Sequence, residues 1–200
     1  MPSKHKSRII DLARARGILR ACELDAHSIP RSYLSRMCRD GQLQRFGRGL
    51  YALPDADFGE HEDLVEVCRR VPHGVIALTS ALAWHNLTTQ IPHAVTVAID
   101  HKARAPAFDY PALEIVRVTG RLLYWGAEMQ KAGAAEIRVY SAARTVVDCF
   151  RFRRRLGLDV AIEALRECRR QRLATVDDLW EAAQVCRIST VIRPYLEATS

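Results

Sequence analysis

Between positions 31 and 39 the chain places Arg31, Ser32, Ser35, Arg36 and Arg39 among Tyr33, Leu34, Met37 and Cys38. At about 100° per residue, Ser32, Ser35, Arg36 and Arg39 share one face of a helix, with Arg31 and Tyr33 on its shoulders. Leu34, Met37 and Cys38 form the opposite face. Such a helix packs by its apolar side and presents guanidinium and hydroxyl groups, which bond base edges and phosphates in a major groove. Downstream, Leu43-Gln44-Arg45-Phe46 and Leu50-Tyr51-Ala52-Leu53 flank Gly47-Arg48-Gly49. This is a hairpin with a basic tip, its glycines permitting the positive φ of a tight turn. An arginine so placed suits a narrow minor groove, where negative potential is concentrated. Arg31, Ser32, Ser35, Arg36, Arg39, Arg45 and Arg48 are therefore the candidate DNA contacts.

A second set of residues could do different chemistry. Asp100-His101-Lys102 closes an apolar run and matches the second half of a metal-dependent nuclease site, in which carboxylates hold Mg²⁺ and a lysine supports the attacking water. The first half is missing, because the nearest upstream carboxylate is Glu66, on another element. No phosphate-binding Walker loop, Gly-x-Ser-x-Gly elbow or carboxylate pair for nucleotidyl transfer is present. Neither a catalytic residue nor a cofactor or metal site is expected. Arg151-Phe152-Arg153-Arg154-Arg155 is a further basic cluster, open to a nucleic acid, an acidic partner or simple complementation of a helix end.

The elements that must position the first set follow from periodicity. Ser7 to Arg16 has apolar positions at helical spacing, preceded by a basic stretch with Lys4, His5, Lys6 and Arg8 that reads as a mobile arm. Gly17 stops this helix, Ile18-Leu19 make a short strand, and Ala21 to His27 a short second helix. Pro30 suits the first position of a third helix, Arg31 to Asp40, which Gly41 terminates. Three helices and a basic two-stranded wing make a winged helix-turn-helix complete by about Pro54.

Charge divides along the same line. Residues 1–50 hold 11 Lys plus Arg against 4 Asp plus Glu, and residues 51–200 hold 19 of each, so the formal net charge of +7 resides in the first quarter of the chain. A basic segment of that kind is suited to a polyanion. The rest of the 200 residues, 48% hydrophobic and 26% charged overall, is ordinary for a globular protein. No apolar leader or membrane-length run is visible, so the expected location is cytoplasmic, on the nucleoid when bound to DNA. The six cysteines form no Cys-x-x-Cys pair and read as reduced core thiols.

Beyond an acidic linker at Asp55 to Gly59, which separates an expected DNA-binding domain at 1–56 from a second domain at 60–200, the pattern mixes strands and helices. His61 to Arg70 is helical, Val75 to Leu78 a short strand, and Thr79 or Ser80 caps a helix to about Asn86. Ala94 to Asp100, Leu113 to Val118 and Ile137 to Tyr140 read as strands of a small, mainly antiparallel sheet. Helices follow at Ser141 to Arg154, at Leu158 to Arg170, after a Thr175 cap, and at Ser189 to Ala198 around Pro194. The fold class is thus α+β, a winged helix-turn-helix followed by an α/β domain with a helical C-terminus.

On Ser32-Tyr-Leu-Ser-Arg-Met-Cys-Arg-Asp-Gly41-Gln-Leu running into Arg45-Phe-Gly-Arg-Gly-Leu-Tyr51, on Ser80-Ala-Leu-Ala-Trp-His85-Asn-Leu87 and on Arg144-Thr-Val-Val-Asp148, the chain resembles the AbiEi antitoxins of bacterial abortive-infection (type IV toxin–antitoxin) systems. The family often has Gly where this chain has Asn86. The resemblance implies a non-enzymatic, two-domain regulator. Its winged helix would bind repeats in double-stranded DNA of its own promoter, and its C-terminal domain would counter a nucleotidyltransferase-like toxin. Two alternatives stand beside it: a DNA-targeted nuclease using Asp100 and Lys102, and a regulator whose second domain senses a small molecule.

Overall fold

The structure is a computed structural model describing residues 4–198. Two compact units divide the chain, one of residues 1–72 with 129–137 and the other of residues 73–128 with 138–200.

In the first unit, α1 (Lys4–Arg16) leads to β1 (Ile18–Arg20), a 3-10 helix (Ala21–His27) and α2 (Ser32–Arg39). After these come β2 (Gln44–Gly47), β3 (Leu50–Ala52), a 3-10 turn (Gly59–His61) and α3 (Glu62–Arg70). The strands form one antiparallel sheet in the order β1-β3-β2. Ile9, Leu12, Leu19, Leu24, Ile29, Leu34, Met37 and Leu43 meet in its core, so α1 and α2 contribute the apolar faces expected of them, while the short 3-10 helix buries Leu24 but not Cys22. The basic stretch at Lys4 to Arg8 is the first part of α1 rather than a mobile arm. Lys6 Nζ pairs with Asp40 at 2.8 Å and donates to Gln42, and the His5 ring stands edge-on to Tyr33 at 5.3 Å. Contacts 34 residues away in sequence supply what local pattern cannot.

The second unit carries β4 (Val75–Ile76), α4 (Leu78–Trp84), β5 (Val95–Asp100), β6 (Leu113–Val118) and a 3-10 helix (Gly120–Leu123). Next is a hairpin, β7 (Ala127–Ala132) and β8 (Ala135–Tyr140), whose residues 129–137 are grouped with the first unit. Then come α5 (Ala142–Arg151), α6 (Arg153–Leu156), α7 (Leu158–Arg170), α8 (Val176–Val185) and α9 (Ser189–Ala198). The strand order is β6-β5-β4-β8-β7. β4 pairs antiparallel with β5, but β5 with β6 and β4 with β8 are parallel. The α+β class holds, with the second sheet mixed rather than mainly antiparallel. Strands such as Val95–Asp100 are buried on both faces along nearly their whole length, so side-chain alternation does not disclose direction.

Helices α5, α7, α8 and α9 enclose a separate apolar core including Val146, Val147, Phe150, Ala161, Leu165, Leu179, Ile192 and Leu196. Within it Arg144 and Asp148, one helical turn apart on α5, are 0% and 3% exposed, and Arg144 Nε donates to Asp148 Oδ2 at 2.8 Å. Burial of two opposite charges is tolerated because they pair. Thr175 caps α8 as its sequence implied, accepting from the Asp178 N–H at 3.1 Å while Asp178 accepts in return from the Thr175 N–H. Thr79 and Ser80 do not cap α4, whose N-cap is Ala77. Their hydroxyls reach across instead, Thr79 to Thr96 at 2.9 Å and Ser80 to the Ala94 carbonyl. All six cysteines are free; Cys149, Cys168 and Cys186 are core thiols, whereas Cys38 and Cys68 are partly buried and Cys22 is exposed.

Candidate nucleic-acid interface

Helix α2 is built as its wheel requires. Leu34 and Met37 are 1% and 0% exposed, while Ser32, Ser35, Arg36 and Arg39 are exposed together on the other face. The turn before it is held by Ser28 in the left-handed region, φ 53°, with its N–H donating to the Asp25 carbonyl and that of Ile29 to Leu24, both at 3.1 Å. The short 3-10 helix and α2 therefore form the two arms of a helix-turn-helix. At the exposed face, the Arg36 guanidinium lies over the Tyr33 ring at 5.5 Å, a cation–π contact.

Arg31 is exposed as well but is already engaged. Its Nε donates to Asp25 Oδ1 at 3.0 Å and its Nη2 bonds Asp25 Oδ2. The guanidinium holds the Asp25 carboxyl below its ordinary range and is itself raised. Asp40, at the end of α2, is likewise lowered by Lys6. Two of the acidic groups in this unit are thus paired with cations, Asp25 with Arg31 and Asp40 first with Lys6.

The wing is shorter at its turn than the sequence suggests. Gly47 pairs with Leu50, leaving Arg48 and Gly49 as the turn, and only Gly49 needs a positive φ, 74°. Arg48 is exposed at the tip, and Arg45, also exposed, donates to the Gly47 carbonyl at 3.4 Å. Gly47 is instead crowded from α3. A Cβ there would stand 2.7 Å from Glu66 Oε1 and 2.9 Å from Arg70 Nη2, closer than real Cβ atoms approach. Sequence reasoning missed this, because the demand comes from α3 and not from the turn.

Helix α3 also closes the sheet on the β1 side. Glu23, which accepts from the Arg20 N–H at 2.9 Å, bonds Arg16 at 2.7 Å and Arg69 at 2.8 Å. Burial holds Arg69 below its usual pKa against the pull of Glu23. Phe46 of β2 meets Phe58 edge-on at 5.2 Å, and Phe58 is 5% exposed.

Elsewhere the candidates behave differently. Asp100 Oδ1 accepts from the Lys102 N–H at 2.9 Å and Oδ2 from the Gly120 N–H at 3.3 Å. The bond to the Lys102 N–H leads in holding this carboxyl below its ordinary range. The carboxylate ties two loop ends, and the exposed Lys102 side chain is not turned to it by any bond of the described residues. Among the described residues no three His, Cys, Asp or Glu side chains converge as a metal site.

In the Arg151–Arg155 cluster, Arg155 pairs with Glu114, Arg153 donates to the Phe150 carbonyl at 2.9 Å and Arg151 lies over Phe152. The second unit also holds an open cleft of about 700 Å³ beside α4 and β6, with Thr79, Thr88, His93 and Glu114 in its wall. Glu114 is occupied there by Arg155 and by the Thr96 hydroxyl at 3.0 Å.

No helix of the described residues is long and apolar enough to cross a membrane. Comparison of the chain with curated proteins gives no match. Residues 7–54, the span from α1 to the end of the wing, match the family model described as transcriptional regulator, AbiEi antitoxin.

Proposed function

We propose that the protein is a DNA-binding antitoxin that represses its own operon through the winged helix and counters a nucleotidyltransferase-type toxin through its second unit. The observation that supports the DNA reading best is the pairing of two exposures in one fold. Ser32, Ser35, Arg36 and Arg39 share the outward face of a helix whose other face is buried, and Arg48 tips the adjacent wing. In this arrangement the helix reads base edges in the major groove while Arg48, assisted by Arg45, enters the flanking minor groove. Arg31, already satisfied by Asp25, adds positioning at the backbone rather than readout. The chain acts without a cofactor in this reading, and the toxin contact falls to the residues beyond the matched segment.

Two experiments test the two halves. Titration of duplex DNA bearing the repeats of its own promoter should give a complex that Arg36→Ala and Arg39→Ala weaken; unchanged affinity in both removes α2 from the interface. Co-expression with the toxin from the neighbouring gene should restore growth, and Asp100→Ala with Lys102→Ala should leave that rescue intact. Loss of rescue together with loss of an Mg²⁺-dependent cleavage in those variants would replace the antitoxin by a nuclease.

A further inference from the structure

The wing rests on a charged pair that the DNA reading does not use. Glu66 and Arg70, one turn apart on α3, form an ion pair whose side chains are only 7% and 18% exposed. Gly47, the last residue of β2 before the turn, lies so close over this pair that a Cβ there would displace the ends of both side chains. Two residues earlier the strand pairing shifts register between Arg45 and Gly47, so β2 bends where it meets α3. Phe46, between them, is pinned by Phe58. Beyond its ladder with β3, the outer strand's approach to the turn is thus packed by Phe58, Glu66 and Arg70, outside the segment that matches the regulator family.

We propose that the Glu66–Arg70 pair is the seat of the wing, positioning β2 and through it the Arg48 guanidinium on DNA. The proposal rests on the winged-helix reading above and deepens it. An arginine at the tip of a free two-residue turn samples many directions, and ordering it on DNA costs conformational entropy. A strand base clamped between Phe58 and a buried ion pair lowers that cost before DNA arrives. Glu66 and Arg70 are positioning residues in this account and touch no DNA.

The test is a double-mutant cycle on the full chain, read by titration of fluorescent promoter duplex, with thermal unfolding recorded for each protein. Glu66→Gln keeps the volume and removes the charge; Gly47→Ala keeps both charges and inserts a Cβ that must push the ends of the pair aside. Each should weaken binding by roughly tenfold or less, the size of one lost charge-assisted contact. Neither should weaken it further once Arg48→Ala is present, whereas each should multiply with Arg36→Ala, because distant independent sites add and coupled ones do not. Full multiplication with Arg48→Ala, or wild-type affinity in both Glu66→Gln and Gly47→Ala, overturns the proposal. An Arg48→Ala variant that binds as wild type removes the wing from DNA and overturns it too, while Arg36→Ala still reports separately on α2.

Discussion

Arg36 and Arg39 are the side chains on which specificity should depend most. Each is exposed on the face of α2 opposite Leu34 and Met37, so alanine there removes a contact without disturbing a core. Each substitution should cost about 1–3 kcal/mol on the promoter site and much less on unrelated duplex, since a lost base-edge bond costs discrimination as well as affinity. Competition titrations with the two duplexes measure both.

A second residue-scale prediction concerns His85, whose Nε2 lies 2.7 Å from the Tyr140 carbonyl. Burial holds its pKa below the usual 6.5. The unfolded chain therefore binds the proton more readily than the folded one. The contribution of this group is full above about pH 6.5 and declines as pH falls toward the lower folded value. Thermal unfolding from pH 7 to pH 5 should show a falling Tm, and His85→Gln should flatten part of that fall. An identical slope in the variant would contradict it. At this scale the exposed arginines were legible because an amphipathic helix sorts its residues by face. The reason for Gly47 was not, since the Glu66 and Arg70 that crowd it come from a later helix.

Among the elements, α2, β6 and α7 could be placed from sequence because apolar periodicity and terminal signals agree there. Strand β7, Ala-Glu-Met-Gln-Lys-Ala, escaped notice: it has no β-branched residue and lies last in its sheet, where packing does not impose an apolar face. Strand β4 shrank to two residues because Leu78 adopts φ 44° and turns the chain into α4.

Helix α5 was visible as a helix, but its Arg144-Thr-Val-Val-Asp148 run concealed a buried ion pair. Asp148→Ala would leave the Arg144 guanidinium buried and unpaired and should cost about 3–5 kcal/mol, whereas replacing both residues by apolar ones should recover much of the loss. Urea denaturation of the three proteins checks this. Equal loss in the single and double variants would show that the pair matters for its shape and not its charge. The Thr175 cap is a smaller case of the same kind, and Thr175→Ala should lower stability by about 1 kcal/mol.

At the scale of the whole molecule, charge and fold divide the labour. The positive excess lies within residues 1–50, and these form most of the first compact unit, to which α3 and residues 129–137 also belong. That concentration was plain in the sequence, since counting needs no fold. The contribution of α3 was not, because its Glu66–Arg70 pair gains meaning only once Gly47 lies over it. If the proposed DNA face is right, it acts chiefly by releasing counterions, and its affinity should fall with salt in proportion to the phosphates neutralised.

The salt dependence of promoter binding by the full chain, wild type beside the triple variant Arg36→Ala, Arg39→Ala and Arg48→Ala, tests the central claim most directly. The account predicts a log–log slope of about −4 to −6 for the wild type, from roughly 4–7 neutralised phosphates, and a triple variant with a slope shallower by about 2 to 3 and no preference for the promoter. A triple variant that keeps both the slope and the preference of the wild type would contradict it.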